Sequence, residues 1–504
     1  MFLASLEIEL ILRYNYAMNK KFYITTAIDY VNDTIHIGHI FQKLLADVLA
    51  RYYRQTLGKE NVFFLTGTDE YGQKAEKAAQ QAKTSTKEFV DKISKSDQAQ
   101  QDSLKISYDR FIRTTESGHK KVVQEIWQRV KKNGDIYLGE YSGLYCEGCE
   151  AYYTEKDLID NHCPLHSKQE IKKVSEKNYF FRWSKYKNFL IDYLKNNHYS
   201  VIPLTRKNEL LEFVKDIKDI PISRANFTWG IPVPNDSSQV IYVWFDALIN
   251  YLTGIGFLEN KILFKKFWPA DIHILGKDNA RWHALLWPAM LKSAGFKEFP
   301  KTVLVNGFLT LNNQKISKSA GNIVRPTDWV KKYGVDAVRY YLLRYTIATE
   351  DSDISEDKLR QAYNADLANG LGNLVARVAK LCENNNLDFS HIDLSIFRSI
   401  KTNRILEEIS LLLNNYRFDQ ALAYIWGSIK GLDEYLDRER PWQLTASEAK
   451  KRLGEIIKGS EAVISLGEIA EALQFFLPET AEKILKQFQG PKIKAEAPLF
   501  PRLK

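Results

Sequence analysis

Residues 22–49 read FYITTAIDYVNDTIHIGHIFQKLLADVL, and the pattern changes midway. Phe22 to Ile28 is rich in β-branched and aromatic residues, which predicts a buried strand. Ile40, Leu44, Leu45, Val48 and Leu49 recur at helical spacing, which predicts a helix beginning at about Gly38. His36-Ile37-Gly38-His39 therefore falls on a strand-to-helix turn. A helix N-terminus presents unpaired N–H groups and partial positive charge. Gly38 permits close approach to the backbone, and His36 and His39 supply donors for phosphate oxygens. The turn has the make-up of a phosphate cradle.

About 275 residues further on, residues 303–322 read VLVNGFLTLNNQKISKSAGN. Val303 to Leu309 predicts another buried strand, which places Lys315-Ile316-Ser317-Lys318-Ser319 on a loop at the carboxyl edge of a parallel sheet. Ligands bind at that edge in open α/β folds. Lys315 and Lys318 bring two mobile ammonium groups, suited to the charge that builds on a departing pyrophosphate. Ala320-Gly321-Asn322 makes the loop flexible enough to close over a nucleotide. Alone, each motif is weak; their order, spacing and flanks make the pair specific.

The chain has 504 residues, 45% of them hydrophobic, enough for several cores and three or four domains. Its net charge of +9 is compatible with an RNA partner. Met1 to Tyr16 is apolar with Glu7, Glu9 and Arg13 interspersed, lacks the basic lead and cleavage pattern of a signal peptide, and is too short to span a bilayer. Residues 1–17 read as an extension ahead of a natural start near Met18. No other segment reads as transmembrane, so no membrane partner and a cytoplasmic location are expected.

Three of the four cysteines cluster. Cys146-x2-Cys149 and Cys163-x2-His166 are two chelating pairs with zinc-knuckle spacing. Four protein ligands close a tetrahedron, so the Zn2+ expected here is structural. His162 is an alternative to His166, and Cys382, in an apolar helical run, reads as a small buried hydrophobe.

In sequence order, Tyr30-Val31-Asn32, Gly67-Thr68-Asp69-Glu70-Tyr71-Gly72-Gln73-Lys74, Ile222-Ser223-Arg224, Trp229-Gly230-Ile231-Pro232-Val233-Pro234, Val243-Trp244-Phe245-Asp246-Ala247 and Gly276-Lys277-Asp278 resemble the methionyl-tRNA synthetases, a family of class I aminoacyl-tRNA synthetases. The resemblance spans nearly all of residues 20–504. It implies a Rossmann-like parallel-sheet α/β catalytic domain with a zinc-knuckle insertion, followed by an all-α anticodon-binding bundle. The implied division is 18–133 and 236–300 for the two catalytic halves, 134–235 for the insertion, 301–360 for a stem-contact region, and 361–504 for the bundle. The implied reaction joins L-methionine and ATP, with Mg2+, into methionyl-adenylate and pyrophosphate. The methionyl group then passes to the 3′ end of initiator and elongator tRNA(Met). A monomer is expected.

The resemblance assigns residues as well. His36, Gly38, His39, Gly276, Asp278, Lys315, Ser317 and Lys318 would bind ATP, with His36, His39, Lys315 and Lys318 catalytic. Ile28, Tyr30, Trp244, Ala247, Leu248, Tyr251 and His283 would wrap the methionine side chain, with Tyr251 able to donate to sulfur. Asp69 would take the α-ammonium and Arg224 would help hold the carboxylate, while Trp282 and Trp287 read as core packing. Activation needs no nucleophilic side chain, because the amino-acid carboxylate itself attacks the α-phosphorus. From residue 361 onward, apolar spacing predicts a helical bundle. There the resemblance assigns anticodon reading to Asn373, Arg377 and Trp442.

Five residues depart from the family pattern: Asp29, Thr34, Ile35, Tyr71 and Asn306. None removes a motif residue. The leucine, isoleucine and valine enzymes share both ATP motifs but need an editing insertion too large for the interval from Gly72 to Val243. A tRNA-binding relative without catalysis conflicts with the intact histidines and lysines.

Overall fold

The computed structural model describes residues 21–146, 151–153, 155, 158–164, 171–196, 199–225, 227–316, 321–389, 393–399, 401–460 and 464–503. Its centre is a seven-stranded sheet. In spatial order the strands are Asp29–Tyr30, Val62–Asp69, Phe22–Thr26, Ile272–Gly276, Thr302–Asn306 and Ser200–Ile202, with Arg110–Arg113 also paired to Val62–Asp69. All of these pairings are parallel. The chain moves to one side after Phe22–Thr26 and to the other after Ile272–Gly276, so the order reverses between these two central strands. A crevice opens beyond the carboxyl ends of strands at such a reversal.

Alternation along the strands gives the sheet two apolar faces. Phe22, Ile24, Ile272, Ile274 and Leu304 lie in one core with the helix Ile37–Leu57 and the carboxyl-terminal helices. Tyr23, Leu65, Leu275, Val303 and Val305 lie in the other, with Trp127, Phe245, Tyr251 and Trp287. The first core runs without interruption into the helical region, which includes Asn373–Asn384, Arg404–Asn414, Phe418–Glu439, Ala446–Lys458 and Pro478–Phe488. The parallel sheet and the following helices agree with the expected architecture.

Two local readings change. Ser200–Ile202, inside the interval expected to be wholly insertion, forms an edge strand of the parallel sheet beside Thr302–Asn306. The rest of that interval holds a four-stranded antiparallel sheet built from Ile136–Cys146, Ala151–Tyr153, Lys172–Phe181 and Ile220–Pro221. The strand expected over Val303–Leu309 is broken at Gly307. A side chain there would place its Cβ about 1.9 Å from the Glu350 carbonyl oxygen. The chain turns, and Leu309–Leu311 joins a separate small sheet with Gln314–Lys315 and Ser352–Ile354. Residues 1–17 lie outside the described residues, among which no helix is long and apolar enough to cross a membrane.

Candidate active site

His36 is the N-cap of the helix Ile37–Leu57. Its Nδ1 accepts from the Gly38 N–H at 3.1 Å, and the His39 Nδ1 accepts from the His36 N–H at 3.3 Å. A Cβ on residue 38 would sit 3.0 Å from the His36 ring, so glycine lets the imidazole fold back onto the helix end. Burial, and then His39, lower the His36 pKa to about 2; burial, and then Lys43, lower that of His39 to about 4. His39 is itself exposed at the crevice, and with both pKa values lowered the two rings are neutral at pH 7. A neutral ring that accepts at Nδ1 carries its proton on Nε2. Each histidine thus has one N–H left to offer a phosphate.

The second motif meets the first at the crevice. The Ile37 N–H donates to the Val324 carbonyl at 2.9 Å, and Ile316 is buried, its Cδ1 3.8 Å from where a Cβ on Gly38 would lie. Lys315, expected on a loop, ends the strand Gln314–Lys315, paired opposite Thr310. Its carbonyl accepts from the Asn322 side chain at 3.1 Å. Ser317 and Lys318 lie outside the described residues.

Gly276 ends a central strand, and a Cβ there would lie 3.0 Å from the Asp278 carboxylate. Desolvation by its neighbours raises the pKa of Asp278 although the residue is exposed, while Lys315 and Lys74 act against that rise. Asp69 ends the strand beside Phe22–Thr26, its backbone in register with Tyr30.

Tyr251, Ala247, Leu248 and His283 are buried together, and Trp244 is half-buried against them. The Trp244 ring stacks on Trp282 at 4.8 Å, and Trp282 stacks on Trp183 at 6.2 Å. Trp282 thus backs the pocket as a packing residue, and Trp287 is fully buried. The Nδ1 of His283 faces the Asn279 carbonyl at 2.9 Å, and its Nε2 faces the Tyr251 hydroxyl at 2.6 Å. A carbonyl only accepts, so the His283 proton is on Nδ1. Burial holds the ring neutral, its pKa near 4. Tyr251 must therefore donate to His283, and its one hydrogen is not available to a sulfur atom, contrary to the expectation from sequence. The helix carrying Trp244 and Ala247 is fixed by Asp246, which pairs with the buried His119 at 2.7 Å.

Arg224 stands apart from this group. Its guanidinium pairs with Glu176 of the antiparallel sheet at 3.1 Å and lies over the rings of Tyr145 and Phe227. It therefore braces the insertion against the strand Asp236–Ile241. Ile28 and Tyr30 are half-buried on the segment that leads to His36.

Of the four proposed metal ligands, Cys149 and His166 lie outside the described residues. Cys146 and Cys163 are both fully buried within one core, and no group of three metal-binding side chains occurs among the described residues. His162 turns Nδ1 to the Asp160 carbonyl at 2.7 Å. Cys382 is buried, as expected of a packing residue.

In the helical region, Asn373 and Arg377 lie one turn apart on Asn373–Asn384. Arg377 bonds Asp433 at 2.7 Å and Asp437 at 2.5 Å and sits 5.9 Å from the Trp442 ring centroid. Trp442 is 46% exposed. A packing residue would be covered, and this ring is open for stacking.

Sequence reasoning missed three polar residues beneath the site: Lys43, Asp97 and His119 are all buried. A lysine one turn after His39, on a helix rich in apolar residues, was the signal for the first.

A profile of the family "tRNA synthetases class I (M)" matches residues 22–174 and 156–379. The chain belongs to this family of class I tRNA synthetases. It is 42% identical over 479 residues to the "Methionine--tRNA ligase" of Thermotoga maritima, covering 93% of this chain and 75% of that protein. With the ligase of that name from Rickettsia conorii it shares 39% over 482 residues, 93% of each chain. Among solved structures, Mycobacterium tuberculosis methionyl-tRNA synthetase in complex with methionyl-adenylate is similar at a TM-score of 0.86, with 34% identity over 96% of this chain and 100% of that one.

Proposed function

We propose that this chain is a methionine–tRNA ligase that forms methionyl-adenylate and pyrophosphate from L-methionine and ATP, then esterifies the 3′ end of tRNA(Met). The observation that carries the reading is the junction of the two distant motifs at one crevice, Ile37 bonded to Val324 with Ile316 against Gly38. A magnesium ion accompanies the ATP phosphates. His36 and His39 offer Nε2–H groups, and Lys315 and Lys318 offer charge, to the phosphate oxygens as the methionine carboxylate attacks the α-phosphorus. Asp69 receives the α-ammonium, and Gly276 and Asp278 receive the ribose. The side chain lies among Ile28, Tyr30, Trp244, Ala247, Leu248, Tyr251 and His283, where shape and polarizable contacts favour a thioether. Arg224, paired to Glu176, braces the insertion and takes no part in holding the side chain. The enzyme works in the cytoplasm as a monomer. Pyrophosphate exchange assayed with each of the twenty amino acids tests the reading: exchange should depend on methionine, and dependence on another amino acid, or none, overturns it.

Cys146, Cys149, Cys163 and His166 suit a structural zinc ion, since two thiols are already buried in one core where thiolate would need a cation. Bound there, zinc would close the fold of the knuckle. Cys146→Ser should abolish stoichiometric zinc in the purified protein, measured by metal analysis. A zinc-free wild type would remove the assignment.

Asn373, Arg377 and Trp442 read the anticodon, whose bases are splayed and stacked on exposed rings. Trp442→Ala should lower charging of tRNA by about 10- to 100-fold, the worth of one base–aromatic stack. Methionine-dependent exchange should stay unchanged, because it needs no tRNA. Equal loss in both reactions, with a lowered melting temperature, would return Trp442 to the core.

A further inference from the structure

Lys43 is fully buried on the helix Ile37–Leu57, one turn beyond His39. Its ammonium donates to the Asp29 Oδ1 at 2.7 Å and to the Ala27 carbonyl at 3.1 Å. Asp29 lies on the short strand whose backbone pairs with Thr68 and Asp69, and among the described residues its second oxygen has no hydrogen-bond partner. From the helix Thr86–Ser103, Asp97 accepts the Ile35 N–H at 2.8 Å. The segment 27–36 is therefore held from beneath at both ends. That segment carries Ile28 and Tyr30 at one end and His36 at the other.

The chemistry of this clamp is costly. Burial lowers the pKa of Lys43, with Asp29 and then Asp97 opposing, and burial raises that of Asp29, with Lys43 opposing. Two apolar side chains of similar volume would hold the same space without desolvating a charge. An ion pair adds something an apolar contact lacks: short, directional bonds from one helix position to a chosen carboxylate and a chosen carbonyl. Catalysis by positioning requires that kind of constraint, since displacements of about 1 Å cost on the order of a hundredfold in rate.

We propose that Lys43 and Asp29 are positioning residues for adenylate formation, the hydrogen bonds of Lys43 to Asp29 and to the Ala27 carbonyl tethering the Ala27–His36 segment to the helix that carries His39. The amino-acid wall at Ile28 and Tyr30 and the two imidazoles then keep one relative placement. The inference rests on the methionine-activation reading above.

The test is the apolar pair Asp29→Leu with Lys43→Met, assayed by pyrophosphate exchange and thermal melting. Expected is a protein that melts near the wild-type temperature, with kcat lowered about 10- to 100-fold and the KM for methionine raised about tenfold, while the KM for ATP moves by less than about twofold. A purely structural pair predicts wild-type kcat and KM in this variant, and that result would overturn the proposal. So would a double variant that fails to fold, which would assign the pair to the core. Asp29→Asn keeps an Oδ1 acceptor for the ammonium and should stay within about threefold of wild type in kcat/KM. A loss there as deep as in the apolar pair would show charge and not tethering at work, and would also overturn the proposal. Wild type that exchanges with a different amino acid instead refutes the substrate reading, and the same variants are then scored with that amino acid.

Discussion

Replacing His39 by alanine is expected to lower methionine-dependent pyrophosphate exchange by about two to three orders of magnitude, the usual loss of about 2.7–4 kcal/mol when one preorganised donor to a developing oxyanion is removed. The geometry gives the reason. The His36 N–H fixes the His39 Nδ1 as acceptor at 3.3 Å, so the ring has one proton, on Nε2, aimed away from the helix. The loss should fall on kcat, with methionine affinity nearly unchanged, because the donor acts on phosphate charge and not on the amino acid. The pH profile is a second check. With both pKa values lowered from the usual histidine range, neither ring gains a proton between pH 7 and 8. Wild-type exchange should show no histidine-like inflection there. A variant within threefold of wild type, or an inflection near pH 6.5 that His39→Ala abolishes, would contradict the assignment.

The second large effect is on stability. Arg339 is fully buried, donating to the Phe476 carbonyl at 2.6 Å, the Leu104 carbonyl at 3.0 Å and the Phe475 carbonyl at 3.1 Å, and pairing with Asp47 at 2.7 Å. Asp47 lies two turns beyond His39 on the same helix, and Phe475 and Phe476 belong to the helical region. One guanidinium therefore joins the helix of the first motif to the end of the helical region. Arg339→Met should destabilise the protein by about 3–5 kcal/mol, the usual consequence of removing one partner of a buried ion pair. Asp47 keeps Arg51 at 2.8 Å and the Ser107 N–H at 2.7 Å, which places the expectation toward the lower end. Denaturant titration measures it, with exchange activity as an independent probe because a chain of this size need not unfold in one step. A change below about 1 kcal/mol would show that the strut carries little.

What was legible in the chain was local. The strand Phe22–Thr26 and the helix Ile37–Leu57 each announce themselves by period, and His36 and His39 are fixed by bonds within three residues of themselves. Gly276 and Asp69 were legible because each closes a short apolar strand. Illegible features depended on partners far along the chain. Nothing near Arg224 tells of Glu176, 48 residues before it. Nothing near Gly307 tells of the Glu350 carbonyl that breaks the strand and sends Lys315 into a hairpin. Asp29 looked like an anomaly because its explanation, Lys43, lies on another element. Tyr251 looked like a donor to sulfur until the proton on His283 was counted.

The order of the central sheet has a consequence for the nascent chain. Thr25 and His273 lie side by side on adjacent strands, yet 248 residues of synthesis separate them. At about 5–20 residues per second, Phe22–Thr26 waits roughly 12–50 s for its neighbour Ile272–Gly276 to leave the ribosome. Val62–Asp69 covers one edge of it early. The other edge stays open through that interval, a row of unpaired N–H and C=O groups that any neighbouring polypeptide can extend. Slower translation lengthens this exposure, and binding of the open edge by a chaperone shields it.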